Sequence, residues 1–287
     1  MNHLDEQPFS QTVLVVLDTE TTGLNPTMGH RVVELGALRL EPAGSDQWVV
    51  AAEFSHLLNP GRPIDPGAQR VHGLRQADLI GQPSFADIFE QLQAFTRGAL
   101  LVAHNARFDA GFIGHEFGLL GDPPPTNPWL CTMLLARRHF FFGRNSLANV
   151  ARQLGVPQGR AHRALNDAYT TAQVLQRMVA SLAELRLETV GDFLAAQGGP
   201  IFAQPTGTVK PDQDLNRLGR ELAEAITARR SVWISYAGAS GNTERIVEPV
   251  ELSQRRGTLY LVAHCRLRGA RRTFRVDRIL RHVVHRK

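Results

Sequence analysis

Asp18 and Glu20 stand two residues apart in Val13-Leu-Val-Val-Leu-Asp18-Thr19-Glu20-Thr-Thr-Gly23, where an apolar run gives way to polar residues. Residues i and i+2 of a strand point to one face, so the two carboxylates project side by side as the strand ends. Like charges that close repel unless one is protonated or a cation neutralises both. A hard divalent cation with oxygen ligands is the obvious neutraliser. Taken alone, the pattern more often marks two solvated acids at a surface strand end. Three further groups lie downstream: Asp109 in His104-Asn105-Ala-Arg-Phe-Asp109, and His162 and Asp167 in His162-Arg-Ala-Leu-Asn-Asp167. With Asn105 as N-cap, Asp109 falls one turn into a helix, near the positive end of the dipole, where a carboxylate is favoured. On one continuous helix His162 and Asp167 would lie roughly 140° apart around the axis and would not easily share a site. With His162 in the Gly159 loop before the helix, the imidazole can fold back over Asp167, accessible as proton transfer requires.

The elements that must position these groups are legible in outline. Val13–Leu17, Arg31–Leu40 and Gln47–Leu58 read as strands of a meander, the second and third joined by the turn-prone Glu41-Pro-Ala-Gly-Ser-Asp46. A loop rich in Pro and Gly follows over Asn59–Gly73. Ser84 caps a helix from Phe85 to about Thr96, with Phe85, Ile88, Phe89, Leu92 and Phe95 at helical spacing. Ala99–Ala103 is a short strand, and Asn105 opens a helix to about Leu119. Short helices fit Thr132–Phe140 and Ser146–Leu154, and a long one Ala164–Leu185. Strands first, then alternating helix and strand, predict a mixed α/β domain over residues 12–185. Gly191, Gly198-Gly199-Pro200, Pro205, Gly207 and Pro211 mark 186–214 as a linker. Residues 215–287 then read as one helix and a small β-barrel built from four or five short strands.

The pieces together resemble the DEDDh class of 3′→5′ exonucleases, the proofreading epsilon-subunit-like members of the ribonuclease H-like superfamily. The motifs are Leu17-Asp18-Thr-Glu20-Thr-Thr-Gly-Leu24, His104-Asn105-Ala-Arg-Phe-Asp109 and His162-Arg-Ala-Leu-Asn-Asp167, in that order over about residues 12–182. Glu34-Leu-Gly-Ala37, Asn59-Pro and Val71-His72-Gly73 agree as well. Cys131-Thr132 stands where such proteins often carry Asp-Thr. The resemblance implies a ribonuclease H-like fold, a mixed sheet flanked by helices. It also implies hydrolysis in which Asp18, Glu20, Asp109 and Asp167 hold two divalent cations, Mg²⁺ or Mn²⁺, about 4 Å apart on the scissile phosphate. His162 would be the general base. The backbone of Thr21, Thr22 and Gly23, with Leu24, would border the terminal nucleotide, with His72 and Asn105 beside it. The implied partner is nucleic acid with a free 3′ end, DNA favoured over RNA, degraded to nucleoside monophosphates.

The C-terminal stretch resembles a WYL domain, a small Sm- or SH3-like barrel of bacterial regulators. The matching residues run Arg245-Ile-Val-Glu-Pro249-Val, Leu259-Tyr260-Leu-Val-Ala-His264-Cys265-Arg266-Leu-Arg268 and Arg272-Thr-Phe-Arg275-Val-Asp277. Leu259 replaces the name-giving Trp. The resemblance implies a ligand site lined by Tyr236, Tyr260, His264, Arg266 and Arg275 that takes single-stranded nucleic acid or a nucleotide. Arginines interleaved with aromatic rings can pair phosphates and stack bases. Charge agrees with the division: residues 1–216 carry 16 basic against 21 acidic residues, a net of −5, and residues 217–287 carry 16 against 6, a net of +10.

Composition narrows the rest. With 287 residues, 43% hydrophobic and 21% charged, the chain is an ordinary globular one of one or two domains. No apolar run approaches the ~20 residues of a membrane span, and the polar Met1-Asn-His-Leu-Asp-Glu-Gln start is unlike a signal peptide. Cys131 and Cys265 are the two cysteines, too few for a disulfide framework or a paired-Cys zinc site, so a cytoplasmic setting is expected. A free-standing repair or processing nuclease is favoured, because no Gln-x-x-Leu-type clamp peptide follows residue 182. A proofreading subunit with a polymerase partner is the second reading. A non-catalytic nucleic-acid-binding regulator is the third, and it would be expected to lack one of the five catalytic residues.

Overall fold

The computed structural model describes residues 4–44, 47–159, 161–204, 211–238, 241–255 and 258–285. Two compact units divide the chain, Met1–Thr208 and Val209–Lys287. The first contains β1 (Leu14–Thr21), β2 (Val32–Pro42), β3 (Trp48–Leu57), α1 (Pro66–His72), α2 (Phe85–Thr96), β4 (Leu100–Ala103), α3 (Ala106–Leu120), β5 (Trp129–Cys131), α4 (Thr132–His139), α5 (Leu147–Gln153), α6 (Ala164–Ser181) and α7 (Val190–Ala196). Its sheet has the order β3-β2-β1-β4-β5. The meander pairs are antiparallel, and β1–β4 and β4–β5 are parallel. This is the expected mixed sheet of a ribonuclease H-like exonuclease fold.

Strand parity assigns the two faces. Leu14 and Val16 of β1, with Leu38 and Leu40 of β2, pack in one core with Ala168, Ala172 and Leu175 of α6. Val15 and Leu17, with Leu35 and Ala37, pack in the other with Ile88 and Leu92 of α2 and Phe112 and Ile113 of α3. Alternation carried two and four residues further therefore turns Asp18 and Glu20 toward α6, and Thr19 toward α3. β1 runs to Thr21 rather than ending at Leu17, so both acids sit inside the strand, paired with Gly36 and Glu34 of β2.

Three expectations are corrected. The loop over 59–73 contains α1, which starts at Pro66 and stops at the left-handed Gly73. The long helix breaks at Ser181 and is followed by a 3₁₀ turn, Ala183–Leu185. The linker expected over 186–214 is, through residue 204, part of the first unit. Thr189 and Asp192 form a capping box that starts α7. Phe193 is buried and stacks on Phe9, with ring centroids 3.9 Å apart. The Gln197 amide accepts from Cys131 N at 2.6 Å and donates to Trp129 O at 2.8 Å, and Ile201 O accepts from Trp129 N. Glycine and proline here shape a packed return of the chain, and buried Phe9 places the start of the domain before residue 12. Residues 205–210 of the expected linker lie outside the described residues.

The second unit contains α8 (Pro211–Thr227), β6 (Val232–Gly238), β7 (Gly241–Arg255), β8 (Thr258–Cys265), β9 (Ala270–Arg275) and β10 (Ile279–Val284). Its strands form an antiparallel sheet ordered β10-β6-β7-β8-β9. Among the described residues no ladder joins β9 to β10, so the expected barrel is present as an open sheet. Leu218, Leu222 and Ala225 of α8 cover a core of Val232, Ile234, Val247, Leu261, Ala263 and Phe274. No helix among the described residues is long and apolar enough to cross a membrane.

Candidate active site

Two helices bring the remaining acids to β1. Asp109 and Asp167 are each the fourth residue of their helices, α3 and α6. Asp109, only 2% exposed, is held by β1: Oδ1 accepts from Thr19 N at 3.0 Å and from Thr19 Oγ1 at 2.8 Å. The threonine between the two strand acids thus reaches the opposite face and fixes the third acid. Behind it, buried Glu116 of α3 accepts from Arg31 Nε at 2.9 Å and from Val32 N at 2.9 Å, locking the helix to β2. The start of α6 rests on β2 at Gly36, where an added Cβ would lie 2.2 Å from Leu165 N. No side chain fits there, and that contact delivers Asp167 beside Glu20.

His162 takes the loop position expected for it. Its backbone is left-handed (φ 61°), its N–H donates to Asp167 Oδ2 at 3.0 Å, and its side chain is exposed. One ligand atom each from Glu20, His162 and Asp167 lie within 4.8 Å of one another. Arg163 turns the other way and forks onto Glu34, with Nε and Nη2 at 3.0 and 2.9 Å from Oε1.

The electrostatics record the crowding. Burial first, then repulsion from Asp109, Glu20, Asp167 and Glu34, holds the Asp18 carboxyl well above its ordinary range. Glu20, 9% exposed, is pushed up to about 8 by burial and then by Asp167, Glu34 and Asp109, with Arg163 opposing. Burial lifts Asp109 to about 7 against the hydrogen bonds from Thr19. Asp167 is raised by burial, which the His162 N–H only partly offsets. Four carboxylates that each resist ionisation side by side form a donor set suited to hard divalent cations. The residues present fit such ions.

The bordering residues divide. Leu24 is 69% exposed beside the acids' strand. Gly23 lies under the His30 ring, where an added Cβ would meet Cε1 at 2.3 Å. Thr22 is fully buried and turned inward: its N–H donates to Arg31 O, its carbonyl accepts from Asp65 N, and its hydroxyl meets His30 Nδ1 and Arg31 N. The backbone groups and the hydroxyl of Thr22 are therefore all engaged within the protein. The Thr21 hydroxyl is likewise spent on Gly23 O. Asn105 opens α3 in a left-handed conformation (φ 68°) with no side-chain capping bond, so the expected cap is positional and the amide is exposed. Buried His72 accepts at Nδ1 from Leu74 N. Burial lowers its pKa, opposed by the Thr21 backbone and Glu34.

Sequence reasoning assigned no role to Thr19, His30 or Arg163, and noted Glu34 without one. A glutamate inside the apolar run Val32-Val33-Glu34-Leu35 was the available signal for the last.

A sequence model of the exonuclease family matches residues 15–175. The chain belongs to the exonuclease family. Residues 218–284 match the WYL domain. Among relatives of the exonuclease domain, a DNA polymerase III subunit epsilon-like protein of Rhodobacter capsulatus is 37% identical over 194 residues, covering 67% of this chain and 27% of that protein. The DNA polymerase III subunit epsilon of Salmonella typhimurium is 36% identical over 194 residues, covering 64% of this chain and 78% of its own length. Exonuclease X, solved in complex with 5′-overhanging duplex DNA, superposes with a TM-score of 0.50 at 29% identity, over 64% of this chain and 99% of that one.

In the WYL unit Tyr260, His264 and Arg275, the cross-strand partner of Tyr260, share one face of the sheet, and Tyr236 does not. Leu261, Ala263 and Cys265 of β8 are buried, so Tyr260 and His264 face the other way. Tyr236 turns inward, its ring edge-on to Phe274 at 5.2 Å and its hydroxyl accepting from Arg275 N. Arg266 is paired with Glu248 at 2.8 Å and Arg275 with Asp277.

Proposed function

We propose that the chain is a metal-dependent 3′→5′ exonuclease that releases nucleoside monophosphates from nucleic acid, DNA before RNA. The observation that carries the reading is the convergence of Asp18, Glu20, Asp109 and Asp167 from a strand and two helices, with His162 folded over Asp167. These carboxylates would hold two divalent cations, Mg²⁺ or Mn²⁺, whose chemistry when bound would be to lower the pKa of the attacking water and to stabilise charge on the leaving 3′-oxygen. His162 accepts the water's proton as general base. Thr19 fixes one oxygen of Asp109 and the His162 backbone fixes one of Asp167, so both carboxylates are oriented before substrate arrives. Arg163 compensates the charge of Glu34, which otherwise adds to the repulsion on Glu20. Leu24 and Asn105 border the terminal nucleotide.

We assign the WYL unit an accessory role, binding single strands or nucleotides at the Tyr260 and His264 face. Arg266 and Arg275 join by exchanging Glu248 and Asp277 for phosphate. A free-standing repair or processing nuclease is the first context. A polymerase-bound proofreading role is the second, supported by the identity to epsilon subunits. The test is degradation of matched DNA and RNA oligonucleotides, single and double stranded, with Mg²⁺, Mn²⁺ or EDTA. Stepwise loss from the 3′ end with either metal supports the reading, and intact strands overturn it.

A further inference from the structure

Phe141 is the most exposed large apolar side chain among the described residues, at 105% of its reference area. It is not on a floppy excursion. Its neighbours Phe140 and Phe142 stack on each other, with centroids 4.9 Å apart and planes at 21°, and pack against the core beneath α6. Asn149 Nδ2 donates to both Phe142 O at 3.1 Å and Arg144 O at 2.6 Å, and Arg144 N donates to Phe142 O. The backbone beneath the ring is thus held on both sides while the ring itself projects into solvent.

The same loop is tied to the catalytic motifs. His104 Nε2 lies 2.9 Å from Asn145 O, which makes that nitrogen the protonated one, and Nδ1 then accepts from Thr132 Oγ1 at 2.8 Å. His104 immediately precedes Asn105 and α3. On the far side of the loop, Gln158 Nε2 donates to Ala148 O at 3.0 Å, linking α5 to the segment that leads into His162.

Charge identifies the occupant. No aspartate or glutamate occurs between Asp122 and Asp167, a stretch of 44 residues with six arginines. Elsewhere residues 1–204 carry 19 acidic against nine basic residues. A fixed exposed aromatic inside the basic stretch of an otherwise acidic domain fits a polyanion with stackable rings.

We propose that the 140–146 loop is a strand-holding surface: a base upstream of the 3′ end stacks on Phe141, and its phosphates pair with the exposed Arg137 and Arg144. The placement of the 3′ end rests on the exonuclease reading above, whereas binding to the loop can be measured without cleavage. Domain 1–204 then carries its own electropositive track and does not depend on the WYL unit to hold a strand.

The experiment uses the full chain in EDTA with a fluorescently labelled 12-nucleotide single-stranded DNA, read by anisotropy. Phe141→Ala weakens binding about tenfold, within the scale of one base–aromatic stack. Phe141→Trp restores binding, and its added fluorescence is quenched on titration with the oligonucleotide. The pair Arg137→Ala with Arg144→Ala flattens the log–log salt dependence by about 0.7 per lost phosphate contact. With Mg²⁺ present, the ratio of kcat/KM for the 12-mer to that for a dinucleotide falls in Phe141→Ala. Unchanged affinity in Phe141→Ala, together with no quenching of the fluorescence added by Phe141→Trp, overturns the proposal, even if cleavage is normal. Loss of binding in a protein that cleaves nothing upholds the surface and overturns only the exonuclease reading.

Discussion

Replacing Glu20 by Gln should stabilise the metal-free protein. The folded state raises the Glu20 carboxyl from 4.5 to about 8, so the native form binds the proton more tightly than the unfolded chain. Stability from this group is full below pH ~4.5 and is lost as pH rises through about 8. At ~1.4 kcal/mol for each pH unit the whole interval corresponds to ~5 kcal/mol. Part of that is relieved when a neighbouring acid takes the proton instead, leaving roughly 2–4 kcal/mol at pH 8. Glutamine keeps the shape and removes the charge. For a unit of about 200 residues this becomes a rise in Tm of roughly 5–12 °C. The assay is thermal unfolding in EDTA from pH 5 to pH 8.5, followed by titration with Mg²⁺. The gap between variant and parent should be small at pH 5, open toward pH 8, and close on adding Mg²⁺, because the ion stabilises the parent more than the variant. A variant no more stable than the parent at pH 8 in EDTA, or a gap independent of pH, refutes the reasoning.

His162→Ala should lower kcat by roughly 10²–10⁴-fold while calorimetry shows Mg²⁺ affinity retained; lost affinity would make His162 a ligand, as its closeness to Glu20 and Asp167 also permits. Gly36→Ala forces a Cβ to 2.2 Å from Leu165 N, so α6 must shift. Stability should fall by roughly 1–3 kcal/mol and activity by more than tenfold, measured by denaturant melts and nucleotide release. A chain ending at Thr208 should stay folded and active, whereas one ending at Glu188 removes α7, uncovers Phe9 and should lose its cooperative melt in circular dichroism.

The α/β order, the sheet of the first unit and the gathering of Asp18, Glu20, Asp109, His162 and Asp167 were legible because each has a local signature. Alternation marks β1, an N-terminal helical position marks Asp109 and Asp167, and the chemistry needs residues at fixed spacings. What stayed hidden is nonlocal. Gly191 and Gly198-Gly199-Pro200 read as breakers, and nothing nearby tells that Phe193 finds Phe9 and that Gln197 satisfies the backbone of β5. Nothing near Thr22 in sequence tells that its hydroxyl meets His30 and its carbonyl accepts from Asp65 N. In the WYL unit a count of charge does not reveal that Glu248, on the neighbouring strand, pairs with Arg266. Net charge over 1–216 misled in the same way: averaging a basic stretch with an acidic remainder erased both.

The most direct test of the central claim is the order of release from a single-stranded oligonucleotide carrying distinguishable labels at its two ends, with Mg²⁺, with EDTA, and with the full-length Asp167→Asn variant. The account predicts that the 3′-terminal label leaves first as a mononucleotide, that shortening proceeds one residue at a time, and that EDTA or the variant abolishes both. Release from the 5′ end first, internal cuts, or undiminished cleavage by Asp167→Asn in Mg²⁺ would contradict it.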